Sequence, residues 1–274
     1  MNIVSIFIIL CIIIFFVAII IAITVVIIFY SLSQVSIAPD ISNGFTTVFV
    51  SFAAGDVHLK NQELQKQKNI QYNETTFHDT VYHNPKTLPA AYFDSLCQEL
   101  KSSTRGFHYW SWKPWIILEM MNQTPLNTVI VYLDAGAYFK RDIHPLISQV
   151  YARNRIFFNN KHTNNQYCSC EPMSKLLLDT NHKFSNTLQI DASCVLLLNT
   201  LDNKLFVRDW LKACLNYNYI SDYISTTCDN VSDFIEHRHD QSLLSIIAKN
   251  NHIGQSFFSP LTKMFYINHH RNRQ

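Results

Sequence analysis

The sequence predicts an α/β domain with a largely parallel sheet, preceded by one apolar N-terminal segment. Three observations predict it. Short runs rich in β-branched and aromatic residues, TTVFVSFA at 46–53 and TVIVYL at 128–133, alternate with helix-like segments. Strands that alternate with helices build a mostly parallel sheet. The run CVLLL at 194–198 is continuously apolar, as in a strand covered on both faces. Residues 3–29 are almost wholly apolar, with Ser5 and Thr24 as mild interruptions.

At about 1.5 Å per residue, that first run spans a hydrocarbon core of roughly 30 Å with some tilt. A cleaved signal peptide is the competing reading. It fits poorly, because no basic residue precedes the run and the run exceeds a signal core of about 7–15 residues. We therefore expect a transmembrane anchor at 1–30, a polar stem at 31–44 and one domain at 45–274. No Lys or Arg occurs before Lys60, so the positive-inside rule has little to act on. Asn73-Glu74-Thr75, Asn122-Gln123-Thr124 and Asn230-Val231-Ser232 are acceptor sequons, and Cys97, Cys168, Cys170, Cys194, Cys214 and Cys228 follow the anchor. An even count permits disulfides without proving them. Cys194 and Cys214, in apolar surroundings, also read as small core residues. These features lean towards a single-pass protein whose domain is lumenal or extracytoplasmic.

The elements follow in order. The strand at 46–53 ends at Ala54-Gly55-Asp56, and 58–68 reads as a mostly polar helix. A second strand is expected at 77–82, closed by Asn84-Pro85, and a helix at 90–100. Pro114 suits a first helical turn, where its missing N–H costs nothing. The strand at 128–133 stops at Asp134-Ala135-Gly136. A helix at 145–151 and a short strand at 155–158 come next. After CVLLL, Asp202 is placed to cap a helix whose Phe206, Trp210 and Cys214 form a core-facing stripe. Asp240 precedes a last helix with Leu243, Ile246 and Ile247 inward.

Net charge is +2 and the basic residues are dispersed, which argues against a nucleic-acid partner. The stretch RGFHYWSWKPWIILEMMNQTPLNTVIVYLDAG at 105–136 carries the most information. Asp134, at the end of a buried strand, sits where open α/β sheets bind ligands and can hold a divalent cation. As an ordinary turn residue it has a bland reading too. Trp110, Trp112 and Trp115 form either a packed wall or a binding surface. Lys113 either reaches a phosphate or covers apolar surface with its stem. In His237-Arg238-His239-Asp240-Gln241-Ser242, Asp240 is a general base, a holder of a sugar hydroxyl, or a helix cap. His237 and His239 lack partners at zinc spacing, so a structural zinc or a metal-dependent hydrolase is disfavoured. Asp191 is a hydroxyl acceptor or a strand-entry turn. The tail His269-His270-Arg271-Asn272-Arg273 is a loose end or a clamp for a diphosphate.

Together these segments resemble GT-A-type glycosyltransferases, and are most similar to the capsular-polysaccharide-synthesis and nucleotide-diphospho-sugar transferase family. The resemblance rests on Gly-x-x-Tyr-Trp-x-Trp-Lys-Pro at 106–114, Tyr-x-Asp-Ala-Gly at 132–136, His-Arg-His-Asp-Gln-Ser at 237–242 and His-His-Arg-x-Arg at 269–273. It covers about 46–273 and implies a single GT-A-like (Rossmann-like) catalytic domain. It also implies a nucleotide-diphospho-sugar donor across the carboxyl ends of the first strands. Trp112, Lys113, Asp134, Gly136, Arg271 and Arg273 would contact that donor. A divalent metal, Mn2+ or Mg2+, would be held by Asp134 with His269 or His270. Asp240 and Asp191 would serve the transfer to a glycan, glycoprotein or glycolipid acceptor. Asp-Ala-Gly stands where many such enzymes carry Asp-x-Asp, so one carboxylate is missing. That departure motivates an alternative, a non-catalytic anchored glycan-binding or structural membrane protein on the same scaffold.

Overall fold

The computed structural model describes residues 15, 17, 46–178, 185–251 and 257–269. The expected anchor and stem, apart from Phe15 and Val17, lie outside the described residues, as do His270, Arg271 and Arg273. Among the described residues, no helix is long and apolar enough to cross a membrane. By their contacts the residues fall into two units, Met1–Pro39 and Asp40–Gln274.

A six-stranded sheet organises the second unit, in the order β2-β1-β3-β6-β5-β7. The strands are β1 (Thr47–Phe52), β2 (Asp79–His83), β3 (Val129–Leu133), β5 (Arg155–Thr163), β6 (Leu188–Leu198) and β7 (Phe257–Phe258). β1 is parallel to β2 and β3, and β5 is parallel to β7. β6 runs antiparallel to both β3 and β5, so it alone is reversed. The sheet is thus mostly parallel, as the sequence predicts. β4 (Ala137–Phe139) leaves the main sheet after Asp134-Ala135-Gly136 and pairs antiparallel with β8 (Ile267–His269).

Burial explains the strands. β1 and β3 are buried at every position, which their mostly apolar Val, Ile, Leu, Phe and Tyr content permits, with only Thr47 and Ser51 of β1 as small polar members. One core cluster joins them to three helices, Trp112–Gln123, Leu201–Cys214 and His239–Asn250. Phe206, Trp210 and Cys214 point into it at 2%, 0% and 0% exposure, as their spacing predicts.

The first helix, α1 (Asp56–Asn73), docks differently. It buries only Gln62, Gln65, Asn69 and Asn73. These lie along one helical stripe and satisfy backbone groups the sheet leaves open. Gln62 Nε2 donates to His83 O at 3.2 Å, and Gln65 Nε2 to Asp134 O at 2.9 Å and Ala137 O at 2.7 Å. Asn73 Oδ1 accepts from Ile143 N at 2.9 Å. A stripe of amides replaces the usual apolar one, because its partners are carbonyls and N–H groups that need hydrogen bonds.

Three local expectations are corrected. The helix at 90–100 is broken into Ala90–Ser95 and Gln98–Ser102, with Leu96 extended between them. Ser95 Oγ donates to Tyr92 O at 2.6 Å, competing with the helical ladder. Thr200, not Asp202, caps Leu201–Cys214, accepting from Asn203 N at 3.2 Å, and Asp202 pairs with Arg155 instead. The strand at 194–198 begins at Leu188, so Asp191 lies within β6 rather than in a turn before it.

Candidate active site

The site grows from the register of β3 and β6. Leu133 lies opposite Cys194, and Asp134 N donates to Ser193 O at 2.8 Å. Asp134 therefore sits beside β6, close to Asp191 and Ser193. Side chains two apart on a strand share a face. Tyr132 accordingly reaches Asp134, donating its hydroxyl to Asp134 Oδ1. By the same rule Asp191 and Ser193 both meet Lys263, from the helix Pro260–Tyr266.

Behind Asp134 lies a buried cation. Lys113 Nζ is 3.2 Å from Asp134 Oδ1 and 2.7 Å from Asp240 Oδ2, and it donates to Ala192 O at 3.2 Å. Its side chain is 3% exposed, that of Asp240 7% and that of Asp134 36%. The ammonium thus spends its three donors on two carboxylates and a carbonyl. This corrects the expectation that Lys113 reaches a phosphate. It sits beneath the wall and supports Asp134.

Electrostatics separate Asp240 from Asp191. Burial pushes Asp240 up to about 6, against the Lys113 ammonium that favours its charge. Burial would also raise Asp191, but the Lys263 ammonium outweighs it and holds the group at about 2. Burial disfavours the charged form of Lys113, yet Asp134 and Asp240 together raise its pKa above the ordinary lysine range. The Tyr132 hydroxyl is raised far above its usual value by burial and by the adjoining Asp134 charge.

In front of this network opens a cleft of about 750 Å³, lined by Asp134, Ala135, Gly136, Asp191 and His269 on one side. Phe52, Ala54, Gly55 and His58 line it from the end of β1 and the start of α1. Thr104, Gly106, Phe107, Trp110 and Trp112 complete it. Its volume falls in the range of small-molecule sites.

The aromatic wall is built on unusual backbone. Gly106, Phe107, His108, Tyr109 and Trp110 all have positive φ, between 48° and 64°. Left-handed conformation costs roughly 1–2 kcal/mol for each non-glycine residue. Packing holds it in place. A Cβ on Gly106 would lie 2.4 Å from the Trp110 ring, so only glycine admits that indole. Trp110 stacks on His239 at 5.2 Å, and Trp112 stacks on Phe52 at 3.9 Å. Tyr92 Oη bonds both His108 Nδ1 (3.2 Å) and Ser111 Oγ (2.9 Å). Strain of this kind concentrates at binding and catalytic sites.

The structure brings Trp112, Asp134, Gly136, Asp191 and His269 to one cleft. Lys113 and Asp240 stand behind it. Asp240 is in the first turn of its helix, with Arg238 as N-cap, so it is not the cap. Its backbone carbonyl accepts from Trp210 Nε1 at 2.9 Å. His237 and His239 are buried structural groups. His237 Nδ1 accepts from Ser169 N at 3.2 Å, and burial lowers its pKa to about 3. His239 Nδ1 bonds Ile220 O at 2.8 Å. Among the described residues, no group of three His, Cys, Asp or Glu is placed to hold a metal. Sequence reading missed Tyr132, Lys263 and Gln65. The period-two spacing of Tyr132 and Asp134 was an available signal, whereas Lys263 is 72 residues from Asp191 and gives none.

No protein-family model and no curated protein matches this sequence. Solved structures do match. Core-mannan synthase A from Aspergillus fumigatus, in its Mn/GDP form, is 9% identical over 85% of this chain and 77% of its own, with a TM-score of 0.50. Mouse xyloside xylosyltransferase 1, in its apo form, is 11% identical over 78% of this chain and 83% of its own, with a TM-score of 0.44. The class defined is an α/β domain of GT-A type, with a mostly parallel sheet and an acidic strand end opening on a cleft.

Proposed function

We propose that this chain is a glycosyltransferase that moves a sugar from a nucleotide-diphospho-sugar to a glycan, glycoprotein or glycolipid acceptor. The observation that carries the reading is Asp134. It sits at the carboxyl end of a buried strand of a GT-A-type fold, with its carboxylate facing a ligand-sized cleft. Glycosyl transfer builds positive charge on the anomeric carbon and negative charge on the departing diphosphate. The protein's main tasks are to neutralise that diphosphate and to position the acceptor hydroxyl.

The residues present suit a divalent cation in part. Asp134 keeps a partly exposed carboxylate, and His269 lines the same cleft from β8, in register with Ala137. A carboxylate oxygen fits Mn2+ or Mg2+, and an imidazole beside it favours Mn2+, with His270 as a further candidate ligand. Bound there, the cation would neutralise diphosphate charge. Lys113 and Tyr132 orient Asp134 from behind, and Gln65 fixes its backbone. Gly136 leaves the cleft floor open, and Trp112 with Phe52 forms an aromatic wall for the donor. Arg271 and Arg273 would supply positive charge to the diphosphate.

Asp191 is a charged acceptor locked to Lys263, suited to hold a sugar hydroxyl rather than to take its proton. Asp240 acts through Lys113. We place the domain in the lumen of the secretory pathway behind the anchor at 1–30.

The test is donor binding by calorimetry, with wild type beside Asp134→Asn. Binding of a nucleotide-sugar that is lost in the variant supports the reading, and equal binding in both sinks it. The missing second carboxylate of Asp-x-Asp favours one other reading, a glycan-binding protein on this scaffold, which would take an acceptor glycan without a donor.

A further inference from the structure

We propose that Asn230 is the site of N-linked glycosylation on the folded chain, and that the other two sequons are not used. The proposal rests on the lumenal placement above, and the structure separates three triplets that the sequence leaves equivalent. Asn73 is 1% exposed. Its Nδ2 donates to Arg141 O at 3.3 Å and its Oδ1 accepts from Ile143 N at 2.9 Å. A glycan on Nδ2 would remove Asn73 from the amide stripe that docks α1, so the folded protein has no room for it. Asn122 is exposed but lies in the last turn of the helix Trp112–Gln123. The hydroxyl of its triplet is occupied, since Thr124 Oγ1 donates to Met120 O at 2.7 Å and accepts from Asn199 Nδ2 at 3.1 Å. Pro125 follows at once and keeps Thr124 extended, outside any helix.

Asn230 differs in each respect. Asn230, Val231 and Ser232 are all exposed, on a loop without helix or strand. Asn230 Oδ1 accepts from Cys170 N at 2.7 Å. That bond uses the carbonyl oxygen, so sugar on Nδ2 leaves it intact and inherits a side chain already held outward. Two residues upstream, Cys228 forms a disulfide with Cys170 across 58 residues. Such a bond persists in oxidising compartments, where N-glycosylation also takes place. The two observations point to the same side of the membrane.

The co-reactant is a polyprenol-diphosphate-linked oligosaccharide of that compartment. The bond from the sugar C1 to the diphosphate oxygen breaks, and its electron pair leaves with the polyprenol diphosphate. A bond from C1 to Asn230 Nδ2 forms, and Nδ2 gives up one proton.

The experiment expresses the full chain in cells with a secretory pathway and reads endoglycosidase-sensitive mobility. Peptide mass then checks for conversion of Asn230 to aspartate on amidase release. Asn230→Gln, Ser232→Ala and Asn122→Gln are compared, and a second form carries an added Asn-Ser-Thr reporter after Gln274. The expected result is one sensitive step, lost in Asn230→Gln and Ser232→Ala and kept in Asn122→Gln. A step kept in Asn230→Gln, or lost in Asn122→Gln, overturns the proposal. A modified reporter on a chain otherwise without sugar overturns Asn230 while the lumenal placement stands. Absence of sugar from chain and reporter alike overturns both.

Discussion

Replacing Lys113 with methionine should reveal how strongly the buried cation holds the site. Lys113 bridges Asp134 and Asp240 with 3% of its side chain exposed. Methionine keeps most of the volume and removes the charge. Breaking a buried pair from one side costs about 3–5 kcal/mol, because the remaining charge is stranded. Here the stranded group is Asp240, which burial already raises to about 6 and which would rise further without Lys113. The variant can therefore escape part of its penalty by binding a proton. The sign follows from linkage. A carboxyl whose pKa is raised on folding takes up protons in the native state, so its stability falls as pH rises through that pKa. Urea unfolding of the 40–274 unit should show a loss of about 3–5 kcal/mol at pH 8 and clearly less at pH 5.5. In a domain of this size that corresponds to a midpoint drop of roughly 6–20 °C at pH 8. Adding Asp240→Asn should recover part of the loss, because no charge is then stranded. A Lys113→Met variant as stable as wild type at pH 8, or a double variant no better than the single, would refute the reasoning.

Other outcomes follow from the same geometry. Gly106→Ala meets both the left-handed backbone and the Trp110 ring at 2.4 Å, so it should cost about 2–3 kcal/mol in urea unfolding and weaken ligand binding in the cleft. Asp191, held at about 2 by Lys263, stabilises the fold above its unfolded pKa, and that contribution is lost as pH falls towards 2. It amounts to about 2 kcal/mol, so Asp191→Asn should flatten the acid limb of the stability curve between about pH 4 and 2. Gln65→Leu keeps the volume but removes the Nε2 donor from the carbonyls of Ala137 and Asp134, the latter keeping its bond from Ala137 N, so it should cost about 1–3 kcal/mol by thermal unfolding.

The strands were the most legible part of the chain. Their β-branched and aromatic runs are buried for the reason that makes them visible, and the core stripe of Phe206, Trp210 and Cys214 follows helical spacing. Asp134 was legible as a carboxylate at a strand end. What Lys113 does was not, because its partners Asp134, Ala192 and Asp240 come from three separate parts of the chain. The helix Asp56–Asn73 read only as mostly polar at 58–68, and its docking stripe gave no signal, since period analysis weighs apolar residues and the stripe is Gln and Asn. The left-handed turn at Gly106–Trp110 gave no local signal beyond its glycine, because aromatic residues carry no preference for positive φ. Long-range packing imposes that conformation. Of the three sequons, Asn73 reads as a surface acceptor in sequence and is buried in the fold.

The central claim is that Asp134 anchors a nucleotide-sugar site. The most direct measurement is isothermal calorimetry of the 40–274 unit against a panel of nucleotide-diphospho-sugars, with and without Mn2+. Asp134→Asn serves as the paired variant, since its amide oxygen still accepts from Tyr132. We predict saturable binding of one donor class by wild type, and its loss in a variant that unfolds as cooperatively as wild type. Absence of binding to every donor, or undiminished binding by Asp134→Asn, would contradict the account.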